Sequence, residues 1–309
     1  MDNARALDIA DVRFRYNDHE AVRGVSFEVA SGEVFALLGP NGSGKTTLFR
    51  LISTLIPLQQ GAIEIFGRDV RRDVALVRSM LGVVFQAPSL DKKLTVLENL
   101  WYHGRLYGLR GAILRQRASE MLERLGLTEK TKALVETLSG GQRRRVELAQ
   151  SMLHQPRMLL LDEPSTGLDP GARIDLWHYF ATLKEAGVTI VLTTHLLEEA
   201  ARADRIGIMH QGELVALDTP LALQASIGGD TILIRATDAT AVAEEIKQRF
   251  DLIPTLLDGT VRLEHPNGAS WIPKLMEGLG SRIESITLGK PTLEDVFVAR
   301  TGHRFFDQG

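Results

Sequence analysis

From Leu7 to Phe14 apolar and polar residues alternate (Leu-Asp-Ile-Ala-Asp-Val-Arg-Phe), and they do so again from Gly24 to Val29. That period of two predicts strands with one buried face. Glu33–Leu38 breaks the rhythm, because Val34-Phe35-Ala36-Leu37-Leu38 is unbroken apolar. Such a run suits a strand covered on both faces of a mostly parallel sheet. After a glycine-rich turn, Thr46–Ile52 continues with helical spacing.

The texture changes from about Ala87 to Leu138. Leu97, Leu100, Trp101 and Leu106, then Ala118, Met121, Leu122 and Leu125, recur at helical intervals among many charges. This predicts a helical subdomain, about residues 87–150, inserted in an α/β core. Strand-like runs return at Arg157–Leu161, Thr189–Thr193, Arg205–Met209 and Glu213–Leu217. A boundary follows near Asp218-Thr219-Pro220, with Gly228-Gly229 as linker. The expected division is therefore residues 1–225 and 226–309. In the second part Thr231–Ala236, Thr260–Glu264 and Arg282–Leu288 read as strands, and Ala241–Phe250, Ala269–Leu279 and Thr292–Arg300 as helices. That is a small α+β domain without a catalytic motif.

Composition removes several function classes. With 309 residues and a net charge of -3, no global basic field points to nucleic acid. The absence of cysteine excludes a disulfide framework, a zinc-thiolate site and a thiol nucleophile. Met1-Asp2-Asn3-Ala4-Arg5 lacks a signal-peptide pattern, and no apolar run approaches the roughly 18 residues of a spanning helix. The expectation is a chain soluble on its own; in transport, another chain must supply the pore.

Three motifs carry the chemistry. Gly39-Pro40-Asn41-Gly42-Ser43-Gly44-Lys45-Thr46 is a complete G-x-x-x-x-G-K-[ST] loop between a strand and a helix. Its glycines let backbone N–H groups wrap around phosphates, and the helix start adds its positive dipole end. Lys45 reaches the β- and γ-phosphates, the Thr46 hydroxyl suits Mg²⁺, and Thr47 is placed for the α-phosphate. Ser43 stands where alanine is commoner, with no expected consequence. Met158–Asp162 is an apolar strand ending in Asp162-Glu163. There Asp162 suits Mg²⁺, and Glu163 suits polarising the attacking water. Between them stands Leu138-Ser139-Gly140-Gly141-Gln142. Ser139 is a good N-cap, and the glycines leave amides exposed at a second helix start. Two phosphate-binding elements in one domain make sense if each site is completed by two subunits.

In this order, from about Leu7 to Pro220, the motifs resemble the ATP-binding-cassette (ABC) ATPases. The resemblance implies a P-loop NTPase (RecA-like) α/β core with an N-terminal antiparallel β subdomain and the helical insertion. ATP and Mg²⁺ are the cofactors it implies. Gln86, after Leu81-Gly82-Val83-Val84-Phe85, matches the family's Q-loop glutamine, which contacts Mg²⁺ and the water. His195, in Thr193-Thr194-His195, matches the switch histidine at the γ-phosphate and the catalytic glutamate; a lone histidine is more often structural. Asp169, in Pro164-Ser165-Thr166-Gly167-Leu168-Asp169, matches the D-loop residue that organises a facing protomer. Tyr16 matches the ring stacked on adenine, with strand packing as its alternative. Ser139, Gly140, Gly141 and Gln142 of one copy would close over the γ-phosphate held by another, in an ATP-dependent homodimer. Arg143-Arg144-Arg145 reads as a charge run on a solvated helix face in preference to a nucleic-acid contact.

Pro291-Thr292-Leu293-Glu294-Asp295-Val296-Phe297-Val298-Ala299-Arg300-Thr301-Gly302 resembles the ending of daunorubicin-resistance-type ATPases, which drive ABC-2-type membrane proteins. The same stretch also reads as an amphipathic closing helix. The implied function is the ATPase subunit of an exporter of drugs, lipids or polysaccharides, peripheral on the cytoplasmic face of the cell membrane. It would work with a separate integral permease and without nucleic acid. The alternatives are an importer motor or a soluble ABC ATPase without a permease. Phe85, Leu90, Leu94 and Leu97 are candidates for a groove that receives a short permease helix, with subdomain core as their alternative.

Overall fold

The structure is a computed structural model that describes residues 5–257 and 259–305. The chain divides into two compact units, one running through Leu217 and the other starting at Asp218.

The first unit opens with a long antiparallel hairpin, β1 (Arg5–Tyr16) and β2 (His19–Ala30). Strand β3 (Val34–Leu38) leads through the glycine loop into α1 (Lys45–Ile52). Then come β4 (Gln60–Ile65), β5 (Arg68–Asp69), α2 (Val74–Met80) and β6 (Leu81–Val84). Three helices follow, α3 (Val96–Leu106), α4 (Gly111–Arg124) and α5 (Gly140–Met152). The unit closes with β7 (Met158–Asp162), α6 (Pro170–Glu185), β8 (Thr189–Thr194), α7 (Leu197–Ala200), β9 (Arg205–His210) and β10 (Glu213–Asp218).

These strands form two sheets, one antiparallel in the order β2-β1-β4-β5 and one of six strands in the order β10-β9-β3-β8-β7-β6. In the second sheet β6, β7, β8, β3 and β9 run parallel. Every residue of β3, β7 and β8 is buried, which explains the apolar runs Val34–Leu38, Met158–Leu161 and Ile190–Leu192 within them. The alternating strands behave differently: Leu7, Ile9, Val12 and Phe14 are buried while polar neighbours such as Arg13 and Arg15 are exposed. Leu48, Phe49, Leu51 and Ile52 of α1 join these hairpin residues and Phe35, Leu37 and Leu160 in one core cluster. Helix α1 is therefore anchored to both sheets.

Helices α3, α4 and α5 pack together over Leu100, Leu114, Ala118, Met121, Leu122, Val146 and Ala149. Thr95 starts α3 with a capping box to Glu98. A β-carbon at Gly104 of α3 would collide with the Leu114 side chain, so glycine sets the close approach of α4.

The second unit contains α8 (Pro220–Ala225), β11 (Asp230–Ala236), α9 (Ala239–Phe250), β12 (Thr255–Leu257) and β13 (Thr260–His265). It ends with α10 (Trp271–Leu279), β14 (Ile283–Gly289) and α11 (Leu293–Thr301). Its sheet is antiparallel, order β12-β13-β11-β14. Ile232, Ile234, Val261 and Leu263 meet Val242, Ile246, Leu275 and Leu279 of α9 and α10. Helix α8 packs against α11 and so lies in this unit. Leu293, Val296 and Phe297 of α11 are buried.

Candidate functional site

Strand register assembles the site. Leu38 pairs with Thr194, Asp162 with Thr193, and Val84 with Leu161. The residues just beyond these positions, Gly39, His195, Glu163 and Phe85-Gln86, therefore emerge together at the carboxyl edge of one parallel sheet. That edge is where open α/β sheets bind ligands.

The glycine loop is held shut from below. Gly39 N donates to Thr194 O at 3.2 Å, and Gly212 N donates to Ser43 O at 3.0 Å. Gly44 caps α1 in the left-handed region, φ 98°, with no side-chain cap, and a β-carbon there would run into the Ala21 carbonyl. Only glycine fits both the conformation and the approach. Gly42 is also left-handed, φ 78°. Asn41 and Gly42 are exposed, Gly39 and Pro40 buried, Thr46 half-buried and Thr47 buried. Ser43 is buried, and its hydroxyl has no hydrogen-bond partner among the described residues. Lys45 is 4% exposed and donates from Nζ to Gly39 O at 2.7 Å and Pro40 O at 2.9 Å. Burial lowers its pKa to about 8, against the opposing pull of the Glu163 and Asp162 carboxylates.

Asp162 is buried and accepts a 2.5 Å hydrogen bond from the Thr193 hydroxyl. Burial raises its pKa ahead of the lowering from that bond, and the neighbouring Glu163 carboxylate raises it further. Glu163 has a left-handed backbone, φ 48°, a conformation that costs on the order of 1 kcal/mol or more for a residue with a side chain. Its N–H is fixed by the Thr193 carbonyl and hydroxyl, both at 3.1 Å. This turn holds the Glu163 carboxylate among three side chains. Gln86 Nε2 donates to Oε2 at 3.3 Å, Thr166 Oγ1 donates to the same oxygen at 3.2 Å, and His195 Nδ1 lies 3.2 Å from Oε1 without hydrogen-bond alignment. The structure thus brings Lys45, Gln86, Asp162, Glu163 and His195 into one cluster.

Other sequence candidates stand apart from it. Tyr16 ends β1, is 40% exposed and meets Phe14 edge-on at 4.8 Å. Ser139 caps α5 in a reciprocal box: Gln142 N donates to Ser139 Oγ at 3.2 Å and Ser139 N donates to Gln142 Oε1 at 3.0 Å. Ser139 and Gly140 are exposed, while Gly141 and Gln142 are half-buried. Asp169 caps α6, accepting from Ala172 N at 2.9 Å. Among the described residues no group of three or more His, Asp or Glu side chains is placed to hold a metal. The oxygens of Thr46, Gln86 and Asp162 suit Mg²⁺, which is usually held by one or two carboxylates together with substrate phosphates.

One expectation is corrected. Arg144 does not lie on a solvated face: it is 9% exposed and bonds to three backbone carbonyls and Glu147. Arg143 and Arg145 likewise donate to the carbonyls of Leu138 and Leu125. The groove beside the site, about 410 Å³, is lined by Ser53, Leu55, Val83, Phe85, His103, Tyr107 and neighbours. Phe85 lines it, and Leu90, Leu94 and Leu97 do not; Leu90 is buried, in keeping with the subdomain-core alternative, while Leu94 and Leu97 are half-buried. No helix among the described residues is long and apolar enough to cross a membrane.

A family model described as ABC transporter matches residues 22–166. The daunorubicin resistance ATP-binding protein DrrA2 of Streptomyces coeruleorubidus is 38% identical, over 94% of this chain and 93% of that protein. The Nod factor export ATP-binding protein I of Paraburkholderia xenovorans is 37% identical, over 98% of this chain and 99% of that protein. Among solved structures, CbiO1 of Clostridium perfringens, part of the ABC transporter complex CbiONQ, aligns with TM-score 0.67 at 25% identity, covering 80% of this chain and 96% of that one. The glycine loop, the Asp162-Glu163 strand end and these relatives agree: the chain belongs to the ABC transporter family, as an ATP-binding and ATP-hydrolysing subunit of the exporter type.

Proposed function

We propose that two copies of this chain close on ATP, and that hydrolysis reopens them to drive a separate ABC-2-type permease exporting a drug, lipid or polysaccharide. The observation that carries the chemistry is the Glu163 carboxylate, fixed by a left-handed backbone among Gln86, Thr166 and His195 and opposite Lys45. Residues 39–47 wrap the triphosphate, with Lys45 exchanging its loop carbonyls for the β- and γ-phosphates. Thr46, Asp162 and Gln86 would hold Mg²⁺, which when bound would supply positive charge to offset that of the phosphates. Glu163 takes the proton of the attacking water, Gln86 orients that water, and His195 donates to the γ-phosphate. Tyr16 offers an exposed ring to the adenine.

Ser139 supports the dimer. Its oxygen accepts from Gln142 N, so its O–H is directed elsewhere and suits a phosphate oxygen of a second copy. Gly140, Gly141 and Gln142 would approach the same phosphate, and Asp169 the facing protomer. The 410 Å³ groove, with Phe85 one residue before Gln86, is the surface proposed for the permease, with the chain peripheral on the cytoplasmic face of the membrane. The relatives' names, drug resistance and Nod factor export, favour export over import.

The test is a pair of variants that fail differently. Glu163→Gln should bind ATP within a few-fold of the parent and lose roughly 10²- to 10⁴-fold in phosphate release, the range for a lost general base. Lys45→Ala should weaken ATP binding about ten- to a hundredfold, as loss of a charge-assisted phosphate contact predicts. Hydrolysis by Glu163→Gln at the parental rate contradicts the assignment.

A further inference from the structure

Arg144, two residues beyond the Leu138–Gln142 motif, uses its guanidinium on segments far apart in sequence. Nε donates to Pro164 O at 3.0 Å and Nη2 to Asp162 O at 3.2 Å. Nη1 donates to Phe85 O at 2.9 Å and pairs with Glu147 Oε2, also at 2.9 Å. Glu147, itself buried, accepts from Ser89 N at 2.9 Å through its other oxygen. The acceptors form a pattern. Asp162 and Pro164 flank Glu163, and Phe85 and Ser89 flank Gln86. One buried side chain on α5, with its ion-pair partner, therefore grips the backbone on both sides of the two residues that meet at 3.3 Å over the attacking-water position proposed above. Arginine suits this role because its planar fork carries five donors in fixed directions. An ammonium offers three donors on one atom and cannot serve four acceptors spread around a plane.

We propose that Arg144 is a positioning residue for hydrolysis, making the orientation of helix α5 a determinant of where Gln86 and Glu163 stand. It rests on the roles proposed for those two side chains. Motion of α5 when Ser139–Gln142 engages a nucleotide would then reach the water-activating groups through backbone carbonyls, without passing through the phosphate.

The experiment compares steady-state turnover, ATP affinity and thermal unfolding of the full chain for Arg144→Lys, Gln86→Ala, their double variant and Glu163→Gln. Arg144→Lys should lower kcat roughly ten- to a hundredfold, with KM and ATP affinity within about twofold, because an ammonium keeps the charge and loses the fork. In the Gln86→Ala background the same change should cost less than about threefold, the non-additivity expected of residues acting as a unit. Should Arg144→Lys fail to fold, Glu147→Gln takes its place, with a kcat loss of roughly three- to tenfold and the same non-additivity. The proposal is overturned if kcat stays within twofold of the parent, if the two losses multiply, or if turnover merely follows the folded fraction. Parental hydrolysis by Glu163→Gln would instead overturn the base assignment, a separate failure.

Discussion

Helices α1 and α5 both begin on glycine-rich sequence, and they begin in opposite ways. α1 starts from a left-handed Gly44 with no side-chain cap, and its Lys45 is buried behind the loop. α5 starts from Ser139 in a complete capping box with Gln142, on an exposed surface. The first end leaves amides for an anion that arrives inside the fold. The second is finished without any anion and presents a hydroxyl outward. A subunit with one interior and one surface helix start of this kind is suited to building a phosphate site with a second copy of itself.

Exchanging glycine for alanine breaks the comparison most sharply. Gly44→Ala places a β-carbon against the Ala21 carbonyl at φ 98° and should cost roughly 3 kcal/mol or more, together with nucleotide binding. At Gly140 an added β-carbon would sit 3.7 Å from the Gly167 carbonyl, an ordinary contact. Gly140→Ala should leave stability within about 0.5 kcal/mol, as an unstrained surface change does. Thermal unfolding and ATP titration of both variants decide this, and equal losses would erase the distinction.

A proton measurement addresses the interior end. With its pKa lowered to about 8 by burial, Lys45 of the free protein is charged at pH 7 and largely neutral at pH 9. A bound triphosphate raises that value, so ATP binding should take up close to one proton at pH 9 and almost none at pH 7. Because the folded value lies below the ordinary 10.5, stability of the free protein should also rise between about pH 8 and 10.5. Calorimetry in buffers of differing ionisation heat reads the uptake, and Lys45→Ala should abolish it.

A modest loss is expected at the surface cap. Gln142→Ala removes half of the capping box and should cost about 0.5–1 kcal/mol, visible in denaturant melts, with ATP affinity of the single chain unchanged.

The sequence was most legible where local rules decide the structure. Mainly apolar runs marked β3, β7 and β8, alternation marked β1 and β2, and the glycine loop stood in the strand–helix context it requires. Arg144 was illegible for a physical reason. Three consecutive arginines look solvated unless their acceptors are known, and here the acceptors come from Phe85, Asp162 and Pro164. For Leu90 the sequence left groove wall and subdomain core open, since apolar spacing cannot tell the two apart, and its burial favours the core. The three-residue strand β12 (Thr255–Leu257) was also missed, being too short for periodicity to register. Glu163's left-handed backbone had no sequence signal, because such a φ is unusual for a residue with a side chain.

The most direct test of the shared site is the mass of Glu163→Gln in solution with and without ATP, measured by light scattering. The account predicts a monomer without nucleotide, a dimer at saturating ATP, and a monomer again when Ser139→Arg is added. A Glu163→Gln chain that binds ATP and stays monomeric, or a double variant that still pairs, would contradict it.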